Sequence, residues 1–137
     1  MTDNFPSHVI LIVENDELLQ MLTVDIMEDA GFVALRAGDA DEAMAILEAR
    51  SDIALLLTSV SMPSSMNGLK LAHAVRNRWA SVKIIVVSGQ TRLSECDLPT
   101  GSRLLIKPYA PKTMISEIRT LIGSGIGTRE GLSRVYL

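Results

Sequence analysis

Four short clusters hold most of the side chains able to do chemistry. Glu14, Asn15 and Asp16 put two carboxylates and an amide in three consecutive residues. Thr58 and Ser59 are adjacent hydroxyls, Ser88 is a hydroxyl followed by Gly89, and Lys107 is an amine followed by Pro108. Each cluster directly follows an aliphatic run, at 9–13, 53–57, 84–87 and 104–106. Carboxylate and carbonyl oxygens suit a hard cation such as Mg²⁺. An ammonium and a hydroxyl complement phosphoryl oxygens. Converging on one edge, these groups would form a small polar site with cation ligands on one side and phosphate donors on the other.

The elements that must position them follow from the changing period of the apolar pattern. The run at 9–13 is continuous and rich in β-branched residues, as expected of a strand buried on both faces. From Leu18 the spacing becomes helical, with Leu18, Leu19, Leu22, Ile26 and Ala30 on one face and Gly31 as a stop. A short strand is expected at 32–35. Asp39 reads as an N-cap, with Glu42 completing a variant capping box ahead of Ala40, Ala43, Met44 and Leu47. The run at 53–57 is a third strand. The stretch 61–68 is turn-rich, and Leu69, Ala72, Val75 and Trp79 mark a third helix. The run at 84–87 is a fourth strand. Residues 91–97 leave room for only a short helix before Pro99 and Gly101. The run at 104–106 is a fifth strand, and Pro111 opens a last helix striped by Met114, Ile115, Ile118 and Ile122. Five strand–helix units predict an α/β fold, a doubly wound parallel sheet with helices on both faces. In such a sheet, ligands bind just beyond the carboxyl ends of the strands, where the four clusters fall.

Composition removes several classes of function. The chain has 137 residues, 47% apolar and 21% charged, which is the profile of one packed domain. Thirteen basic against sixteen acidic residues give a net charge of −3, which argues against a sequence-independent grip on nucleic acid. The aliphatic runs are far short of the roughly 20 residues a membrane span needs. The first residues carry no secretory signature. Cys96 is alone, so no intrachain disulfide is expected, and the reading is of a cytoplasmic protein. We expect a domain over residues 1–122 and a Gly-rich, flexible tail over 123–137 whose apolar Val135, Tyr136 and Leu137 could dock on a surface.

In LIVENDE (11–17), LLLTSVSMPSSMNGLKLA (55–72), IIVVSG (84–89) and LLIKPY (104–109), the chain resembles the receiver domains of bacterial two-component response regulators. The likeness runs over roughly residues 8–122. It implies a flavodoxin-like sheet in the order 2-1-3-4-5. It also implies an acid pair for Mg²⁺ at Glu14 and Asn15 with Asp16 beside it, and a backbone metal ligand at the carbonyl of Ser61. The phosphoryl-acceptor position falls on Ser59, and the phosphate contacts on Ser88 and Lys107. Three positions depart from the family pattern. Ser59 stands where the family has its acceptor Asp, Asn15 replaces one metal-binding acid, and Leu104 occupies a position that is often aromatic.

The departures change the chemistry. A carboxylate is ionised at neutral pH and attacks a phosphoryl group directly, whereas a Ser hydroxyl needs an adjacent base. His8 precedes the first strand and His73 is mid-helix, so neither is expected near Ser59. Two lost negative charges leave Glu14 and Asp16 against Lys107, so Mg²⁺ binding is expected to be weak or lost. Lys107 is expected to pair with Glu14 or Asp16 instead. The reading that follows is a non-enzymatic, receiver-like module of a two-component phosphorelay that works by protein contact rather than phosphorylation. The resemblance implies partners, a sensor kinase or an output protein, on a face with Arg92, Leu93, Leu98, Tyr109 and Met114, where a homodimer is also open. Two alternatives stand beside it. One is a conventional phospho-accepting receiver with Ser59 as a substituted site or Asp52 as acceptor. The other is a small flavodoxin-like ligand-binding protein.

Overall fold

The computed structural model describes residues 8–60, 67–89 and 93–123. Its strands are β1 (Val9–Val13), β2 (Val33–Ala37), β3 (Ile53–Ser59), β4 (Lys83–Ser88) and β5 (Arg103–Ile106). Its helices are α1 (Glu17–Asp29), α2 (Ala40–Ala49), α3 (Gly68–Arg78) and α4 (Pro111–Ile122), with one 3-10 turn at Glu95–Asp97. The strands form a single parallel sheet in the order β2-β1-β3-β4-β5. That order and the all-parallel pairing are those expected from the alternation and the resemblance. β2 lies later than expected, β3 and β4 run on to include Ser59 and Ser88, and β5 begins one residue earlier.

The sheet divides two apolar layers. Val9, Leu11 and Val13 of β1 point to the side covered by α2 and α3, where they meet Ala43, Leu47, Leu71 and Val75. Ile10 and Ile12 point to the side covered by α1 and α4, where they meet Met27, Met114 and Ile118. All five residues of β1 are buried, which is why its sequence is apolar without alternation. Burying each such side chain contributes roughly 1.5–3 kcal/mol, so the three central strands carry most of the cohesion.

The helix ends are fixed by the residues that the sequence marks for them. The Asp39 carboxylate accepts from the Glu42 N–H at 2.9 Å, and Glu42 Oε1 accepts from the Gly38 N–H at 2.6 Å. Gly31 follows α1 with φ +96, a left-handed conformation that other residues adopt with strain. Pro111 is the first residue of α4.

One expectation fails on α1. Leu18, Leu19 and Leu22 do not face the core; they are 64%, 39% and 50% exposed, and Met21 beside them is 53% exposed. The inward face instead carries Gln20, Thr23, Val24 and Met27. The reason is the site itself. The N-terminal half of α1 faces polar strand ends, so a Gln and a Thr point inward and the leucines are turned out. Gln20 Nε2 donates to the Glu14 carbonyl at 3.0 Å and to the Ala37 carbonyl at 3.1 Å, tying α1 to the ends of β1 and β2.

Candidate functional site

The register brings the four chemical clusters together. Val13 pairs with Thr58, Ser59 with Val87, and Ser88 with Ile106. Glu14, Ser59, Ser88 and Lys107 therefore emerge along one edge of the sheet. Backbone bonds continue the ladder past the strand ends: the Val60 N–H donates to the Val87 carbonyl at 3.0 Å, and the Lys107 N–H donates to the Ser88 carbonyl at 2.8 Å. At about 4.8 Å per strand, the backbones at Glu14 and Lys107 are separated by three spacings, about 14 Å, with Ser59 and Ser88 between them.

The acidic corner is occupied by the backbone. Glu14 Oε2 accepts from the Asp16 N–H at 3.0 Å. Asp16 is the N-cap of α1, and its Oδ1 accepts from the N–H groups of Leu18 at 2.9 Å and Leu19 at 3.1 Å. Asn15 and Asp16 are exposed and Glu14 is half-buried. Among the described residues, no group of three or more His, Cys, Asp or Glu is placed to hold a metal ion. The donor set thus fits a weakly held, largely hydrated Mg²⁺, with Glu14 and Asp16 each keeping one carboxylate oxygen uncommitted. It does not fit a tightly chelated ion. Ser61 and Arg92 lie outside the described residues, as does the tail from 124.

Ser59 is 6% exposed and Thr58 is fully buried, at the last two positions of β3. A cavity of about 20 Å³ lies here, lined by residues including Glu14, Thr23, Thr58, Ser59 and Tyr109. That volume is close to what a single water requires. No imidazole reaches it: His73 Nε2 is 2.9 Å from the Asp97 carbonyl on the far side of α3, and His8 precedes β1. Asp52 is at the opposite end of β3, held by Arg50 through contacts of 2.9 and 2.7 Å. Seven strand residues at ~3.3 Å each put it about 23 Å from the edge, which removes it as an alternative acceptor.

Lys107 is exposed. The ion pairs among the described residues are Arg50–Asp52, Arg78–Glu48 and Arg103–Glu117, so the expected pairing of Lys107 with Glu14 or Asp16 is not formed. Ser88 is buried at the end of β4.

The partner face needs correction in detail. Leu98 is 7% exposed, packed in the layer with α3, and Met114 is 1% exposed in the layer with α4. Both are buried, so neither is exposed on the face where a partner was expected. Tyr109 and Leu93 are half-buried. Tyr109 also reaches the cavity, and burial, followed by the Glu14 carboxylate, raises its pKa above the ordinary phenol value.

Three residues of the site were not legible as such. Gln20 and Thr23 sit at helical spacing from Asp16, so the signal was a polar stripe, i, i+4 and i+7, on a helix judged only by its leucines. Gly68 is the third. A β-carbon there would overlap the Ser59 carbonyl and come within 2.8 Å of Thr58 Oγ1, so only glycine lets α3 start this close to β3. Asn67 caps the same helix by accepting from the Lys70 N–H at 2.9 Å.

The family model described as the response regulator receiver domain matches residues 10–119. The transcriptional regulatory protein CpxR of Escherichia coli is 30% identical over 118 residues, covering 82% of this chain and 48% of CpxR. The chain spans under half the length of the curated relatives it matches. A CheY-like receiver domain from Methanospirillum hungatei superposes with a TM-score of 0.78 at 25% identity, over 92% of this chain and 100% of that one. The response regulator TrrA of Thermotoga maritima, crystallised in complex with Mg²⁺ and BeF, superposes with a TM-score of 0.73 at 19% identity, over 83% and 98%. The sheet order, the strand-end clusters and the matched span agree, and the chain belongs to the family of response regulator receiver domains.

Proposed function

We propose that this receiver domain signals without accepting a phosphoryl group. The observation that carries the reading is Ser59: a buried hydroxyl, with no general base beside it, at the strand end where the family pattern has a carboxylate. Neutral Ser is a poor nucleophile, and the nearby carboxylates of Glu14 and Asp16 are weak bases already engaged by backbone N–H groups. A bound Mg²⁺ would withdraw charge from phosphoryl oxygens. Here Glu14 and Asp16 would hold it weakly, and Lys107 would remain a free cation at the rim.

In this reading residues 8–122 act as a non-enzymatic module in the cytoplasm, and output is protein–protein contact. The contact face includes Tyr109 and the exposed rim of β5 and α4, with Leu98 and Met114 fixing its shape from beneath. Among the described residues no helix is long and apolar enough to cross a membrane.

The test is incubation with acetyl phosphate and Mg²⁺ followed by intact-mass measurement. We expect no added phosphoryl mass on the natural chain. A base-stable adduct that disappears in Ser59→Ala would overturn the proposal, as would a base-labile adduct on any carboxylate. The Ser59→Asp variant supplies the control, because labelling there reports whether Ser88, Lys107 and Glu14 still form a competent pocket.

A further inference from the structure

The face that α1 and α4 share is divided by charge. Both helices cover the same side of the sheet, where Met27 of α1 meets Met114 and Ile118 of α4. They lie side by side: Arg119 donates from Nη2 to the Ala30 carbonyl at 3.1 Å, and its guanidinium lies 5.8 Å from the Phe32 ring. The outward residues of α1 are Leu18, Met21, Leu22, Asp25 and Asp29, all exposed. The helix has carboxylates at Glu17, Asp25, Glu28 and Asp29 and no basic residue. The outward residues of α4 are Lys112, Thr113, Ser116, Arg119 and Thr120, also exposed. The one carboxylate of α4, Glu117, is bound by Arg103 at 3.2 Å.

The two surfaces complement each other in shape and in order. On α1, Leu18, Met21 and Leu22 are large, apolar and between 50% and 64% exposed; on α4, Thr113, Ser116 and Thr120 are short. Large side chains set against short ones let two helices interdigitate. Leu18, Leu22 and Asp25 stand at i, i+4 and i+7, the spacing of Lys112, Ser116 and Arg119. The helices have 13 and 12 residues, about 20 and 18 Å, and both run back from the carboxyl edge of the sheet. We propose that the α1–α4 face is the interface of a two-fold symmetric dimer of this chain, with α1 of each copy lying on α4 of the other.

A two-fold axis running between the helices and along them makes that exchange, and the helices of each pair then run in the same direction. Glu17 comes to the end that holds Lys112, and Asp25 and Asp29 come to the end that holds Arg119. Lys112 has no ion-pair partner among the described residues, and Arg119 commits one of its five N–H donors to Ala30. Two-fold symmetry makes every such contact twice. Charge selects this pairing over its rivals. Two α1 helices face to face would oppose the four carboxylates of each copy with no basic residue between them. Two α4 helices would set Lys112 and Arg119 against their own copies. Like charges across an interface are costly. The proposal is independent of whether Ser59 accepts phosphate.

The experiment is sedimentation equilibrium of the full chain over a hundredfold range of concentration. We expect a monomer–dimer equilibrium that weakens as salt is raised, because the pairing is partly ionic. Two double variants change exposed residues only: Asp25→Lys with Asp29→Lys on α1, and Lys112→Glu with Ser116→Glu on α4. Each, with the circular dichroism of the natural chain, is expected to be monomeric where the natural chain is half dimeric. Mixed in equal amounts, they are expected to form a 1:1 dimer, since a basic α1 then meets an acidic α4 and an acidic α1 meets a basic α4. Four outcomes overturn the proposal: a natural chain that stays monomeric throughout, a mass that grows past the dimer, a dimer that survives the α4 changes alone, or no dimer from the mixture of the two folded variants.

Discussion

The most direct way to separate metal ligand from helix cap at Asp16 is to remove its charge and its cap in turn. Asp16 Oδ1 accepts two backbone N–H groups, at 2.9 and 3.1 Å, at the start of α1. Asp16→Ala leaves both donors to water and removes a negative charge from the positive end of the helix, costing about 1 kcal/mol within a range of roughly 0.5–2. With a urea m-value of about 2 kcal/mol/M, the midpoint falls by about 0.5 M. Asp16→Asn keeps an accepting oxygen, and Asn caps as well as Asp, so only the small dipole contribution of about 0.3 kcal/mol is lost. Both variants are then measured with and without 10 mM Mg²⁺. A ligand-bound native state gains RT ln(1 + [L]/Kd), so a weak site with Kd above about 15 mM gives less than ~0.3 kcal/mol. We expect that small gain for the natural chain and a smaller one for Asp16→Asn. A gain above ~1 kcal/mol, corresponding to Kd near 2 mM, that vanishes in Asp16→Asn would refute the weak, hydrated site and make Asp16 a tightly engaged metal ligand.

Other outcomes follow from the same structure. Gly68→Ala forces a methyl group into the Ser59 carbonyl and is expected to destabilise by about 1–3 kcal/mol or more, read as a lower urea midpoint at unchanged m. Met27→Ala, at a site with no exposure, is expected to cost roughly 2–5 kcal/mol, whereas Leu22→Ala on the turned-out face costs under about 1; comparable losses would restore the leucine face to the core. The folded-state pKa of Tyr109 lies above its unfolded value near 10.0, so the native state retains the proton longer. Stability is therefore full below about pH 10 and declines as pH rises through the folded pKa. Tyr109→Phe is expected to flatten that alkaline decline in thermal melts taken between pH 8 and 11, and an unchanged slope would remove Tyr109 as its source.

The sheet was legible because its strands are short, apolar and bounded by polar or turn residues, and because buried parallel strands need no alternation. The strand-end clusters were legible for the same reason: once 9–13, 53–57, 84–87 and 104–106 are parallel strands, the residues after them must share an edge. The orientation of α1 was not. Apolar periodicity locates a stripe but does not say whether it faces the core, and beside a polar site the inward positions are Gln20 and Thr23. The unmade Lys107 ion pair was likewise beyond spacing, since it depends on the number of strands between two edges rather than on either residue. Leu98 and Met114 read as surface because each falls beside a turn or helix start, yet each plugs the layer beneath it.

Beside β5 the described residues hold a 3-10 turn at Glu95–Asp97 rather than a full helix, and only one of the four β5 residues is fully buried. Where a full helix would shield that margin, the span is pinned by Leu98 and by the contact of His73 with the Asp97 carbonyl. Native-state fluctuations should therefore begin there, with amide protons of residues 103–106 exchanging ahead of those in β1 and β3. A binding protein that clamps this corner would slow that exchange without touching Ser59, transmitting its presence as a change in local rigidity.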